Sequence, residues 1–190
     1  MIAKGLDFNN VTLVAIVNSD LGMLIPDFKS HEKMFQLIYQ VIGRSGRREK
    51  TGQAIIQTYN PNHNIIQMAT NYNSKTFYNL TLDNRRSLNY PPFVRLIRII
   101  FQSKNSKNCI DSSENVYKML KLDLANFLIG PLPCPIEKLS NQTRYHILIK
   151  IPPQKLSFAL NKLKIMQNKK DKLIHTNVKL LIDVDSNSIL

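Results

Sequence analysis

Two arginines, Arg44 and Arg47, stand three residues apart in the stretch Gln40-Val41-Ile42-Gly43-Arg44-Ser45-Gly46-Arg47. A guanidinium presents paired N–H donors that meet phosphate oxygens bidentately, so two of them on one glycine-punctuated turn can converge on a single phosphate group. Gly43 and Gly46 carry no Cβ and let the backbone pass close to such a ligand. The same residues also read as the basic last turn of a helix, where Arg opposes the negative end of the helix dipole and Gly ends the helix. Residue type and spacing leave both readings open. Other reactive side chains are more dispersed. His31, His63, His146 and His175 fall on different elements and read as ordinary surface or cap residues. Cys109 and Cys134 lack Cys-x-x-Cys spacing and a nearby histidine cluster, so they are expected to be buried free thiols, with no metal site.

The elements that must hold the arginine turn follow from the pattern around it. Residues 11–17, Val-Thr-Leu-Val-Ala-Ile-Val, form a continuous apolar and β-branched run of the kind buried in a parallel sheet. Turn residues follow, and Ser30 is placed to cap a helix whose apolar positions Met34, Leu37, Ile38, Val41 and Ile42 recur every three or four residues. A second strand is predicted over 53–59. Strand, helix, strand is the pattern of a parallel α/β unit, but residues 1–60 supply only two strands of what is normally a larger sheet. An open apolar edge, an uncovered face and low solubility or dependence on a partner are the expected consequences.

Residues 61–90 read as a helical connector, with Phe77, Tyr78, Leu80, Leu82 and Leu88 as its apolar positions and Tyr90-Pro91-Pro92-Phe93 as a rigid junction that stops it. Over 91–190 the predicted order is strand (93–101), helix (107–127), short strand (133–139), strand (144–151), helix (154–167) and strand (178–184). This βαββαβ order predicts a ferredoxin-like or related α+β sandwich with two helices on one face of a four-stranded sheet. Val116, Leu120, Leu124 and Phe127 form the needed stripe on one helix, and Leu156, Ala159, Leu160 and Leu163 form it on the other.

The composition is that of a globular chain, 43% hydrophobic and 21% charged over 190 residues, which excludes an intrinsically disordered protein. No apolar stretch approaches the roughly 20 residues of a membrane-spanning helix, and the first residues lack the pattern of a signal peptide, so a cytoplasmic location without membrane association is expected. The net charge of +13 points to a polyanionic partner. Residues 1–90 hold net +4 and residues 91–190 net +9. An excess of Asn, Lys and Ile, as AT-rich coding DNA produces, accounts for part of that charge and weakens the argument from charge alone.

Gln40 to Arg47 resembles motif VI of superfamily-two helicases, Gln-x-x-Gly-Arg-x-Gly-Arg, and Lys4-Gly5-Leu6-Asp7-Phe8 resembles the end of their motif V. The combination of these with Asp20-Leu21-Gly22, Pro26-Asp27-Phe28, Gln57-Thr58-Tyr59-Asn60-Pro61, Arg85-Arg86, Tyr90-Pro91-Pro92-Phe93, Ile129-Gly130-Pro131 and Ile182-Asp183-Val184-Asp185 is similar to the PriA family of replication-restart helicases, primosomal protein N′, from end to end. The resemblance implies an α/β fold in which residues 1–60 are the C-terminal part of a RecA-like second helicase lobe, 61–90 a connector and 91–190 a C-terminal DNA-binding domain with a small ribosomal-protein-like fold. A generic RNA helicase lobe leaves the Tyr90–Phe93 junction and the terminal strand unexplained.

On the matching positions, the resemblance implies that Arg44 and Arg47 reach across the cleft between lobes and stabilise charge on the γ-phosphate of ATP held with Mg, that Gly5, Asp7, Gln40 and Gly43 border the nucleotide, and that Lys4 adds charge at the DNA-coupling loop. Lys138, Arg144 and Lys150 are candidate phosphate contacts, and read equally as solvated strand-edge cations. Asp183 and Asp185, which alternate as a metal pair would, read in this context as structural groups bonded to backbone or to an arginine. Implied partners are forked or single-stranded DNA and the acidic tail of single-stranded DNA-binding protein. The 190 residues contain no Gly-x-x-x-x-Gly-Lys-Ser/Thr loop, no Asp-Glu pair after an apolar strand and none of the family's zinc ligands. The chain therefore reads as a fragment of an ATP-dependent 3′-to-5′ DNA helicase, inactive as an ATPase alone and dependent on an N-terminal chain encoded upstream. The alternatives are a non-enzymatic basic nucleic-acid-binding module or the non-functional remnant of a split gene.

Overall fold

The computed structural model describes residues 12–43 and 52–190. Two compact units divide between Asn84 and Arg85. The first begins with β1 (Leu13–Ile16), followed by α1 (Asp20–Met23), α2 (Ser30–Ile42) and β2 (Gln53–Ile56). β1 and β2 pair in parallel from Leu13 opposite Gln53 to Ile16 opposite Ile56, as the apolar β-branched runs predict. Both strands are shorter than the expected 11–17 and 53–59, because the chain turns away at Asn18, whose φ is +72°, and at Thr58, whose hydroxyl bonds Asp20.

α2 buries Met34, Phe35, Ile38 and Val41, close to the predicted stripe. Ser30 is the first residue of the helix and not its cap. Lys29 holds the cap position without a side-chain cap bond, and Asp27 fixes the turn ahead of it, accepting from the Lys29 N–H at 2.8 Å through its side chain and from the Ser30 N–H at 3.0 Å through its carbonyl. The connector is two helices, α3 (Asn64–Thr70) and α4 (Ser74–Ser87), broken at Tyr72, whose φ is +54°. Ile65, Ile66, Ala69 and Phe77 from these helices complete the first unit's core, where Phe35 and Phe77 stack in parallel at 3.8 Å. Of the apolar positions assigned to the connector only Phe77 is buried; Tyr78, Leu80, Leu82 and Leu88 lie at the surface.

The second unit contains β3 (Arg95–Ser103), α5 (Ser106–Leu124), β4 (Leu128–Leu139), β5 (Gln142–Ile151), α6 (Leu156–Asn168), α7 (Lys170–Leu173) and β6 (Lys179–Val184). The antiparallel sheet has the order β4-β5-β3-β6, in which β5 lies between β3 and β4 and β3 lies between β5 and β6, as split βαβ units require. Ile97, Ile99 and Phe101 of β3 and Ile147, Ile149 and Ile151 of β5 point to one face, where Val116, Leu120 and Leu124 of α5 and Ala159, Leu163 and Met166 of α6 cover them. Phe127 packs against this core from a single 3-10 turn after α5.

β4 is much longer than the predicted 133–139. Pro131, Pro133 and Pro135 argue against a strand interior, but β4 lies at the sheet edge, where a missing N–H costs no ladder bond, and its register shifts twice along β5. Gly130 permits one of these shifts. Its φ is +110°, and a Cβ there would lie 2.8 Å from the His146 carbonyl oxygen. The hairpin closes through Ser140 and Asn141, at φ +51° and +60°, the positive pair of a two-residue turn whose twist matches that of the strands.

Candidate functional site

Of the residues matched to motifs V and VI, Lys4, Gly5, Asp7, Arg44 and Arg47 lie outside the described residues. Gln40 and Gly43 lie within them, Gln40 exposed in the last turn of α2 and Gly43 at its C-cap. Gly43 follows α2 with φ −67° and donates to the Tyr39 carbonyl at 3.2 Å. This is ordinary right-handed backbone, and among the described residues a Cβ would meet nothing closer than 3.4 Å. The helix end does not itself require glycine here.

The C-terminal ends of β1 and β2 are joined by a clip that sequence spacing does not reveal. Ser19 donates through both its N–H and its hydroxyl to the Gln57 carbonyl, at 3.0 and 3.2 Å. Asp20 accepts from the Thr58 hydroxyl at 2.8 Å and from the Tyr59 N–H at 3.0 Å. The Tyr59 N–H and the Thr58 hydroxyl hold its carboxyl below the usual carboxylate range. This clip braces the loops that leave the carboxyl ends of the two strands. Asp20 and Thr58 both belong to stretches that carry the family resemblance, the one signal that marked them.

In the second unit the three candidate phosphate contacts occupy different settings. Lys138 is exposed near the tip of the β4–β5 hairpin, directly opposite Thr143. Arg144 is partly buried on β5 and donates to the Ile136 carbonyl at 3.4 Å. These two share the hairpin, with Leu132, Ile136 and Leu139 exposed beside them. Lys150 is elsewhere, where its ammonium donates to the Leu88 carbonyl at 2.9 Å and lies 3.5 Å from the centre of the Tyr90 ring. Burial pulls its pKa down. Around it, Arg85 donates to the Pro91 carbonyl at 2.6 Å and Arg86 covers the Phe93 ring at 4.8 Å, so the basic residues next to the Tyr-Pro-Pro-Phe segment fold onto it.

On the sheet face opposite the helices, Arg98 is 4% exposed. Its Nε donates to Nδ1 of His146 at 3.3 Å and its Nη1 to the Leu190 carbonyl. Burial, reinforced by Arg98 and Arg144, pushes the His146 pKa down to about 4. His146 is therefore an interior residue, unlike the surface or cap histidine expected, because β5 alternation turns it to a face that residues after β6 help to cover. His63 does act as a cap, accepting from the Ile65 N–H at 3.3 Å. Asp185 forms a bidentate pair with Arg95, the structural role expected for it. Cys109 and Cys134 are buried and free, and burial raises both thiol pKa values. Among the described residues there is no group of three or more His, Cys, Asp or Glu able to hold a metal ion, and no helix long and apolar enough to cross a membrane.

Comparison with known proteins gives these settings a context. A family model, that of the primosomal protein N C-terminal domain, matches residues 86–187, nearly the whole of the second unit. The chain belongs to the primosomal protein N family. It is 38% identical over 187 residues to the replication restart protein PriA of Bacillus subtilis, 41% identical over 192 residues to that of Chlamydia pneumoniae, and 35% identical over 189 residues to that of Borreliella burgdorferi. Each match takes in 97% of this chain and between 23% and 27% of the relative. The chain thus spans about a quarter of the length of the primosomal protein N relatives it matches. In this family member the basic residues concentrate in the second unit, since residues 85–190 hold 18 of the 26 Lys and Arg and only 7 of the 13 Asp and Glu.

Proposed function

We propose that this chain acts in replication restart as the C-terminal part of a superfamily-two DNA helicase, binding forked or single-stranded DNA through its basic second unit and lending Arg44 and Arg47 to an ATP site completed by a phosphate-binding lobe. The observation that carries the reading is the match of 97% of the chain to replication restart proteins, taken with the Gln-x-x-Gly-Arg-x-Gly-Arg stretch that leads out of α2. Electrostatics supports the DNA half of it, because a net +11 over residues 85–190 favours a polyanion. Packing supports the dependence on a partner lobe. Leu13, Val17 and Ile55 are 55%, 77% and 53% exposed, although they belong to or adjoin a parallel two-stranded sheet of a type normally covered on both faces. The first unit is read here as part of a RecA-like lobe.

The nucleotide chemistry follows from the residues that would face it. ATP and Mg supply the scissile phosphoryl group and neutralise its oxygens. Arg44 and Arg47 would stabilise the charge that develops on the transferred group, a contribution of about 10³-fold or more in rate for arginines in such positions. Gln40 and Gly43 would border the same turn. The experiment is ATP turnover with single-stranded DNA, measured for the purified chain and for the chain mixed with a protein carrying the Walker loop, zinc module and N-terminal DNA-binding domain of the family. Turnover only in the mixture, lost in Arg44→Ala and Arg47→Ala variants, supports the reading. Turnover by the chain alone overturns the need for a second lobe, and DNA affinity that does not fall with added salt overturns the phosphate-binding role.

A further inference from the structure

α2 and α4 leave a small cavity on the first unit whose aromatic rings no motif accounts for. It holds about 200 Å³ and is lined by Phe35, Gln36, Tyr39, Gln40, Ser74 and Tyr78. Phe35 is buried, held from below by its parallel stack on Phe77. Tyr39 and Tyr78 lie on either side, with ring centres 5.8 and 6.3 Å from that of Phe35, and they are 38% and 53% exposed. Tyr72, 51% exposed, sets its ring edge-on to Tyr39 at 5.1 Å and fixes it. Rings that served only the core would be covered as Phe35 and Phe77 are. These two keep a face toward an open space instead.

We propose that this cavity is a stacking slot for an unpaired base of single-stranded DNA, with Phe35 as its floor, Tyr39 and Tyr78 as its walls and the Gln36 amide at its rim. The proposal deepens the DNA-binding reading above and rests on it. Size favours a single ring system, since the volume is below the roughly 300 Å³ at which pockets for drug-sized ligands begin. Chemistry favours a base, because a primary amide offers both a donor and an acceptor to a base edge, and base–aromatic stacking tolerates any base. Charge favours a strand that carries phosphates on either side of that base. Lys33 and Lys75 are exposed one helical turn from Gln36 and Tyr78 respectively. Neither lysine lines the slot, so each is placed for the backbone and not for the base.

The test compares binding of the full chain to labelled oligo(dT) and to an abasic strand of equal length and charge. The double variant Tyr39→Ala/Tyr78→Ala is expected to lose about 5- to 150-fold in affinity for oligo(dT), the range that removal of stacking on one base gives, and to keep its affinity for the abasic strand. Tyr39→Phe/Tyr78→Phe, which keeps both rings, is expected to bind as the parent does. Photocrosslinking of iodouracil-substituted DNA to the unaltered chain tests the same contact without a substitution, and the adduct is expected on Tyr39 or Tyr78. An adduct confined to other residues, equal loss on both strands, or no loss on either overturns the slot while leaving the DNA-binding reading standing. Failure of the unaltered chain to bind either strand overturns the DNA-binding reading and the slot together. Displacement of the DNA by a tyrosine- or proline-rich peptide that crosslinks to Tyr78 would assign the cavity to a protein partner and overturn the proposal.

Discussion

Arg98 and His146, 48 residues apart in the chain, meet inside the second unit, where the arginine Nε donates to Nδ1 of the histidine at 3.3 Å. The pair is possible only with neutral histidine, because protonation would set two cations against each other in a site that excludes water. Burial is the main cause of the fall in the His146 pKa from 6.5 to about 4, and Arg98 and Arg144 add to it.

Stability should therefore depend on pH through His146. Unfolded histidine takes up a proton near pH 6.5, whereas the folded residue resists protonation until about pH 4. The contribution is fully present above pH 6.5 and is lost as pH falls toward 4. The melting temperature of the second unit is expected to fall by on the order of 10 °C over that window if other groups stay silent. A His146→Asn variant, which retains an acceptor for Arg98 and does not titrate, should flatten the profile. An identical slope in parent and variant would refute the assignment.

The first unit leans on one stacked pair. Phe77→Ala empties the space beside Phe35 and should cost about 3 to 5 kcal/mol, as deletion of a buried ring commonly does. Limited proteolysis is expected to cut the variant within residues 12–84 while a fragment beginning near Arg85 survives. Survival of the first unit at parental rates would show that the stack contributes little.

Lys150 and the hairpin cations separate two kinds of basic residue. Removing the Lys150 ammonium should free the Leu88 carbonyl and the Tyr90 ring at a cost of about 1 kcal/mol, seen as faster hydrogen exchange over residues 88–93. Lys138→Ala and Arg144→Ala should leave that exchange unchanged and weaken DNA binding, each lowering the salt slope by about one. A Lys150→Ala variant with unaltered exchange and a lower salt slope would place Lys150 among the DNA contacts.

The hairpin and the junction also show how far the chain could be read directly. The apolar, β-branched runs in 95–101 and 145–151 and the helical stripes at Val116 and Leu163 are local patterns, so the strands and helices of the second unit were legible, and their order predicts the split βαβ sheet. The length of β4 was not legible. Three prolines within it argue against a strand until the sheet order places that strand at an edge. The connector misled for the opposite reason, since Tyr78, Leu80 and Leu82 match the composition of a buried face but lie outside the core that Phe77 enters.

By itself the sequence determined the family, the βαββαβ order and the basic excess beyond Asn84, because each of these lies in residue type and short spacing. Tertiary structure alone decided that Lys150 folds onto Tyr90, that Asp20 clips the loop after β2, that His146 is buried beside Arg98 and that Tyr39 and Tyr78 frame one cavity. These pairings join residues far apart in the chain, and nothing in local periodicity specifies which distant side chain fills a given space. That choice is made by sheet order, by strand register and by the burial of the core.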